Sequence, residues 1–422
     1  MQPATNAETD ALLFLPGVGQ VASSDETTLA FAARVATALD HGSQTPRAIF
    51  RVRSRVEEAR QEVGDHRFLV CQILRVEPDG AEKPVLDVYK LDYQNILVKD
   101  YEQQSSFRRA AVTAFQAGRG ALRIVGALRR SRAISARRLL QVLTAFFLWI
   151  LLSAYFLLLL ASLLAVASVG LERILELNQD VTAPGAGEVL KRIASFSGWL
   201  SGVAILATVL TSFVPERWKN ELVGMGASYV RMSTYLSINQ QRSAILGRFH
   251  ALLEHIAEKE VPYRRVHVVA YSFGSVVALD ALFPPNNFSN RPPHAPRLEA
   301  IDKLVTIGCP FDFIRALWPR YFEGRVALSD APRTWFNVYT PADAFGSNFR
   351  DDDALGEATV SLAGKSPNNL VYEQSNYGIL DALTFVALRA HGMYFSPDGD
   401  HLDQGCLRET ISAAFAGEPI LA

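Results

Sequence analysis

The stretch from Arg265 to Phe283 constrains the fold of this chain more than any other. It reads Arg265-Val266-His267-Val268-Val269-Ala270-Tyr271-Ser272-Phe273-Gly274-Ser275-Val276-Val277-Ala278-Leu279-Asp280-Ala281-Leu282-Phe283. Val266, Val268 and Val269 suit a buried parallel strand, since a short β-branched run fits a pleated surface covered on both faces. Beyond the Ser/Gly turn, Val276, Val277, Ala278, Ala281 and Leu282 recur at helical spacing. Ser272 therefore sits at a strand-to-helix corner. Small residues lie two positions before it, Ala270, and two after, Gly274. Strand and helix must pass close to each other there. A plain strand-turn-helix with a helix-capping serine is the competing account of this corner.

Four other segments belong with it. Ala11 to Leu15 is a short apolar strand followed by Pro16-Gly17-Val18-Gly19. Leu304 to Gly308 is a strand in the context Lys303-Leu304-Val305-Thr306-Ile307-Gly308-Cys309-Pro310. Thr334 to Tyr339 is another, containing Trp335-Phe336-Asn337 and running into Thr340-Pro341-Ala342-Asp343. Later comes His391-Gly392-Met393-Tyr394. In this order the segments resemble the α/β-hydrolase superfamily, in particular its bacterial lipase-like and esterase-like serine hydrolases. The corner resembles the nucleophile elbow, Gly-x-Ser-x-Gly, with Ala270 in place of the first glycine. Pro16 stands where a His often precedes the Gly, and Cys309 stands for the Ser of a Thr-x-Gly-Ser-Pro segment. The resemblance covers residues 11 to about 100 and 220 to 400.

The resemblance implies a Ser, acid, His order along the chain. A serine hydroxyl is a poor nucleophile at neutral pH, so it needs an imidazole base, itself oriented by a carboxylate. Ser272 is the expected nucleophile, Asp343 the acid and His391 the base. His401 and the acids Asp330, Asp351, Asp352 and Asp353 are the alternatives. The backbone N–H groups of Phe273 and Val18 are the expected oxyanion hole. Nothing in the sequence calls for a cofactor or a metal; Asp398, Asp400 and Asp403 lack a full calcium-ligand series. Cys71, Cys309 and Cys406 lie far apart without metal spacing, which suits small core residues in a reducing compartment.

Between the early strands and the elbow the composition changes. The 42 basic and 43 acidic residues nearly cancel over the chain, so no global charge points to nucleic acid. Residues 103 to 138, however, carry nine arginines and no acidic residue, with apolar positions between them, a pattern expected of a membrane-surface helix. Leu139 to Leu171 is 33 residues without a charge and Ile193 to Pro215 is 23, both beyond the roughly 18 residues expected of a transmembrane helix. The flanking arginines place both outer ends in the cytoplasm by the positive-inside rule.

The resulting expectation is an α/β fold, α/β-hydrolase-like, with a mainly parallel sheet and flanking helices interrupted by a two-helix transmembrane hairpin. Residues 1–102 form the first part of the hydrolase domain, 103–138 a basic membrane-proximal segment, 139–215 the hairpin and 216–422 the part with the catalytic residues. A hairpin returns the chain to its starting side, so the early strands and the elbow can share one sheet. The expected function is a membrane-anchored serine hydrolase cleaving a small-molecule or lipid ester through an acyl-enzyme. It would contact membrane lipids but no nucleic acid, at a bacterial inner membrane with its catalytic domain on the cytoplasmic side. The alternative is a catalytically silent hydrolase-fold module tethered to the membrane for binding or signalling.

Overall fold

The structure is a computed structural model. It describes residues 9–18, 24–42, 49–58, 67–97, 228, 230–237, 239–286, 298–343, 345–352, 354–372, 390–395 and 405–415, with isolated positions between 119 and 146. The chain divides into two compact units. One comprises Met1–Leu97, Ala127–Val142 and Tyr235–Ala422, the other Val98–Gly126 and Leu143–Thr234. The first unit holds the site.

Its framework is an eight-stranded sheet: β1 Asp10–Leu15, β2 Ile49–Glu58, β3 Arg67–Val76, β4 Glu82–Lys90, β5 Val266–Tyr271, β6 Ile301–Ile307, β7 Thr334–Tyr339 and β8 Asn368–Val371. The spatial order is β2-β3-β4-β1-β5-β6-β7-β8. β3 runs antiparallel to β2 and β4, and every other pairing is parallel. The fold is thus α/β with a mostly parallel sheet. The early strands do share one sheet with the elbow: β1 pairs with β4 on one side and β5 on the other.

β1 is buried along its whole length, as a central parallel strand covered on both faces requires. Alternation sends Leu12 and Phe14 to one face, where they join a core with α1 (Ser24–Gly42) and α5 (Leu407–Ala414). The rings of Phe14 and Phe31 stack there at 3.7 Å. Over β1 and β5 lies α3 (Phe273–Leu282), with α2 (Asn239–Ala257) packed beside it. All ten residues of α3 are buried, which explains its apolar character on every side. α4 (Phe311–Leu317) follows β6.

Some strands differ from expectation. β2 runs through several charged positions to Glu58, because those positions are paired across the sheet. Arg51 and Arg53 bond Glu82 at 3.3 and 2.7 Å, and Arg55 bonds Asp87 at 2.6 Å. β6 begins three residues before Leu304, at Ile301. The polar β8 has no apolar alternation to announce it.

The transmembrane expectation is corrected. Among the described residues no helix is long and apolar enough to cross a membrane. The runs Leu139–Leu171 and Ile193–Pro215, like most of the arginine-rich segment, lie outside the described residues. An apolar run does not by itself establish a span: α3 is apolar on every side and buried within protein. The membrane anchor is withdrawn with it.

Candidate active site

The expected site residues leave the carboxyl ends of parallel strands, the edge at which open α/β sheets hold ligands. Ser272 follows β5 directly. Asp343 lies four residues beyond the end of β7, and Pro16, Gly17 and Val18 follow β1. His391 lies on a turn preceding the short 3-10 helix Met393–Phe395.

Ser272 has φ 54° and ψ −125°, a conformation that costs a non-glycine residue on the order of 1–3 kcal/mol. The surroundings hold it there. Its N–H donates to Ile307 O at 2.8 Å, and Ser275 N–H donates to Ser272 O at 3.0 Å. Ser275 Oγ donates to Ala270 O at 2.9 Å and closes the turn from inside, a role nothing in the sequence marked. Gly274 is required by close approach: a Cβ there would fall 2.2 Å from Leu15 O and 2.6 Å from Pro16 O. A Cβ on Gly17 would sit 3.0 Å from Ser272 Cβ, so the loop after β1 borders the serine.

Ser272 precedes α3 at its N-cap position, yet its side chain makes no capping bond. Its Oγ lies instead 2.6 Å from His391 Nε2. His391 Nδ1 lies 2.9 Å from Asp343 Oδ2. The three side chains therefore form one hydrogen-bonded relay. Tyr271 supports the imidazole, with its ring stacked on His391 at 5.7 Å and its hydroxyl donating to His391 O. Phe345 meets the imidazole edge-on at 5.2 Å.

Asp343 is fully buried. Burial alone would raise its pKa. The charge and hydrogen bond of His391, with the N–H groups of Phe345 and Gly346, outweigh burial and lower it. Phe345 N–H donates to Oδ1 at 2.8 Å and Tyr394 OH donates to Oδ2 at 2.9 Å. The carboxylate is thereby an oriented anion facing Nδ1. The acid loop is fastened from beneath: Asn337 Nδ2 donates to Ser347 O at 2.8 Å, Asn337 Oδ1 accepts from Thr306, and Thr306 accepts from Trp335 Nε1.

The expected oxyanion donors border the serine differently. Phe273 opens α3, so its N–H is among the first-turn donors without an intrahelical acceptor. The Val18 peptide is set by a neighbouring segment: Gln94 Nε2 donates to Gly17 O and Tyr93 OH to Pro16 O. Both carbonyls are held toward the segment after β4, which turns the attached N–H groups away from it.

The alternative acids do other things. Asp351 pairs with Arg315 at 3.3 Å and Asp352 with Arg350 at 2.5 Å, both largely exposed. Asp353, His401 and the Asp398–Asp403 cluster lie outside the described residues. Cys309 is fully buried, and burial pushes its thiol pKa up, as for a packed core residue. Among the described residues no group of His, Cys, Asp and Glu could hold a metal ion.

No family model, no curated protein and no solved structure matches this chain. The functional reading rests on the site's own geometry.

Proposed function

We propose that this chain is a serine hydrolase that cleaves a small-molecule ester through an acyl-enzyme. The observation that carries the reading is the relay from Ser272 Oγ through His391 to Asp343, at a serine held in strained backbone. Simple packing would not require a serine hydroxyl aimed at an imidazole from such a turn.

Ser272 Oγ attacks the ester carbonyl as His391 Nε2 takes its proton. The oxyanion that develops is met by the N–H groups of Phe273 and Val18, each worth about 2.7–4 kcal/mol where such donors have been removed in known sites. The tetrahedral adduct collapses as His391 returns the proton to the leaving alcohol. Water then attacks the acyl-serine as His391 takes its proton, and that proton passes to Ser272 Oγ as the carbonyl–Oγ bond breaks and the acid departs. Asp343 holds the imidazole tautomer and balances the transient imidazolium without itself taking the proton. The lipid-ester expectation depended on the membrane spans and is not part of this reading.

A fluorophosphonate probe tests it. The purified full chain should be labelled at Ser272, located by peptide mass spectrometry, and Ser272→Ala should not be labelled. An unlabelled wild-type protein of native fold would point to the catalytically silent binding module.

A further inference from the structure

One side chain in the site has a role that the relay does not require. Tyr394 is fully buried, and its hydroxyl makes two bonds: it donates to Asp343 Oδ2 at 2.9 Å and accepts Thr340 N–H at 3.0 Å. Oδ2 is the oxygen that faces His391 Nδ1. The tyrosine and the imidazole therefore compete for the electron density of one carboxylate oxygen.

Two glycines make room for this contact. Gly308, at the end of β6, has φ 57°, and a Cβ there would fall 2.7 Å from the Tyr394 ring. A Cβ on Gly346 would fall 2.6 Å from Asp343 Oδ2 and 3.0 Å from the Tyr394 hydroxyl. Three chain segments, after β6, after β7 and beyond His391, are thus shaped around one hydroxyl–carboxylate bond. A tyrosine that served only as core filler would need no bare backbone at its oxygen.

We propose that Tyr394 is a positioning residue of this site: its hydroxyl fixes the Asp343 rotamer and tempers the charge that the carboxylate presents to His391. The titratable groups around the hydroxyl are Asp343, His391, Tyr271 from β5, Tyr372 after β8 and Cys406 before α5. Burial and the Asp343 charge hold the Tyr394 hydroxyl well above its ordinary pKa, so it remains a donor across the working range. Burial likewise pushes up Tyr271 and Cys406.

The sign of the effect follows. Removing the tyrosine's bond leaves more negative charge on Oδ2, the imidazolium is better stabilised, and His391 holds its proton to higher pH. In Tyr394→Phe the His391 pKa should rise by about half a unit to one unit. Nitrogen NMR of the full chain labelled at histidine reads this directly, with the His391 signal identified by its loss in His391→Asn. An unchanged or lowered His391 pKa in Tyr394→Phe would overturn the proposal. If that variant does not fold, 3-fluorotyrosine at position 394, a stronger donor of nearly the same shape, should lower the His391 pKa, and no change there would overturn it equally. The acid limb of the kcat/KM profile should move with the NMR value while KM stays the same. That kinetic arm rests on the hydrolase reading; the NMR titration does not. Failure of the fluorophosphonate labelling and failure of this proposal are therefore separately visible.

Discussion

Asp343 is the residue on which the site's electrostatics turn. It is a buried anion held by donors on both oxygens, and it presents Oδ2 to a single imidazole nitrogen. Asp343→Asn keeps the volume but replaces an acceptor that demands the Nδ1–H tautomer. The amide can instead donate to Nδ1, which puts the proton on Nε2, where the serine's proton must go. We expect ester turnover to fall by about three to four orders of magnitude. The thermal midpoint should fall as well, since a carboxylate held below its ordinary pKa contributes stability that the neutral amide does not. Hydrolysis of a p-nitrophenyl ester, paired with circular dichroism melting, checks both halves. A variant retaining wild-type turnover would remove Asp343 from the mechanism.

At the scale of elements, the charged pairs that extend β2 also tie the sheet's edge to α2. Glu57 bonds Arg55 at 2.9 Å on its own strand, and His255 at 3.0 Å and Lys259 from the α2 side. Burial would raise its pKa, but the bonds to His255 and Lys259 and the charges of Lys259 and Arg55 bring it down to about 2. A depressed carboxylate stabilises the fold above its unfolded pKa, near 4.3, and that stability is lost as pH falls toward about 2. Glu57→Gln should therefore cost on the order of 2–3 kcal/mol at pH 7 and about half as much at pH 3. Urea unfolding at the two pH values measures the difference; an equal loss at both would mean that packing, not charge, carries the tie.

The same elements show what a sequence can reveal. β1, β5 and β7 were legible because buried parallel strands read as continuous apolar runs, and the corner at Ser272 because its neighbours had to be small. Asp343 and His391 were legible by order along the chain. Tyr394's bond to Asp343 and the Gln94–Gly17 tie were not, since they join residues 51 and 77 positions apart and leave no local pattern. The extent of β2 was not legible, since its alternating arginines find their partners, Glu82 and Asp87, only on β4.

For the whole molecule, the governing fact is that one sheet is assembled from two distant parts of the chain. Residues up to Leu97 supply β1 to β4, and residues after Tyr235 supply β5 to β8. The join is the β1–β5 ladder, running from Ala11 opposite Val266 to Leu15 opposite Ala270. Beside it Arg264 grips Asp10 through two bonds of 2.9 and 2.6 Å. Phe14 and Phe31 from the first part meet Phe395 from the second at 6.4 and 6.2 Å. Covalent continuity between the parts is then needed to bring them together, not to keep them together. Cleaving the folded chain at a protease site engineered between residues 98 and 234 should leave the two fragments co-eluting on gel filtration without denaturant. The nicked protein should retain fluorophosphonate labelling at Ser272, because the Gly17 loop and the serine are supplied by opposite sides of the cut. Fragments that separate without denaturant would show that the β1–β5 join is too weak to hold the sheet by itself. Leu13→Asp tests the same join from within. It would place a carboxylate on the buried centre of β1, opposite Val268, and should cause the nicked halves to come apart while the uncut chain elutes as an expanded species.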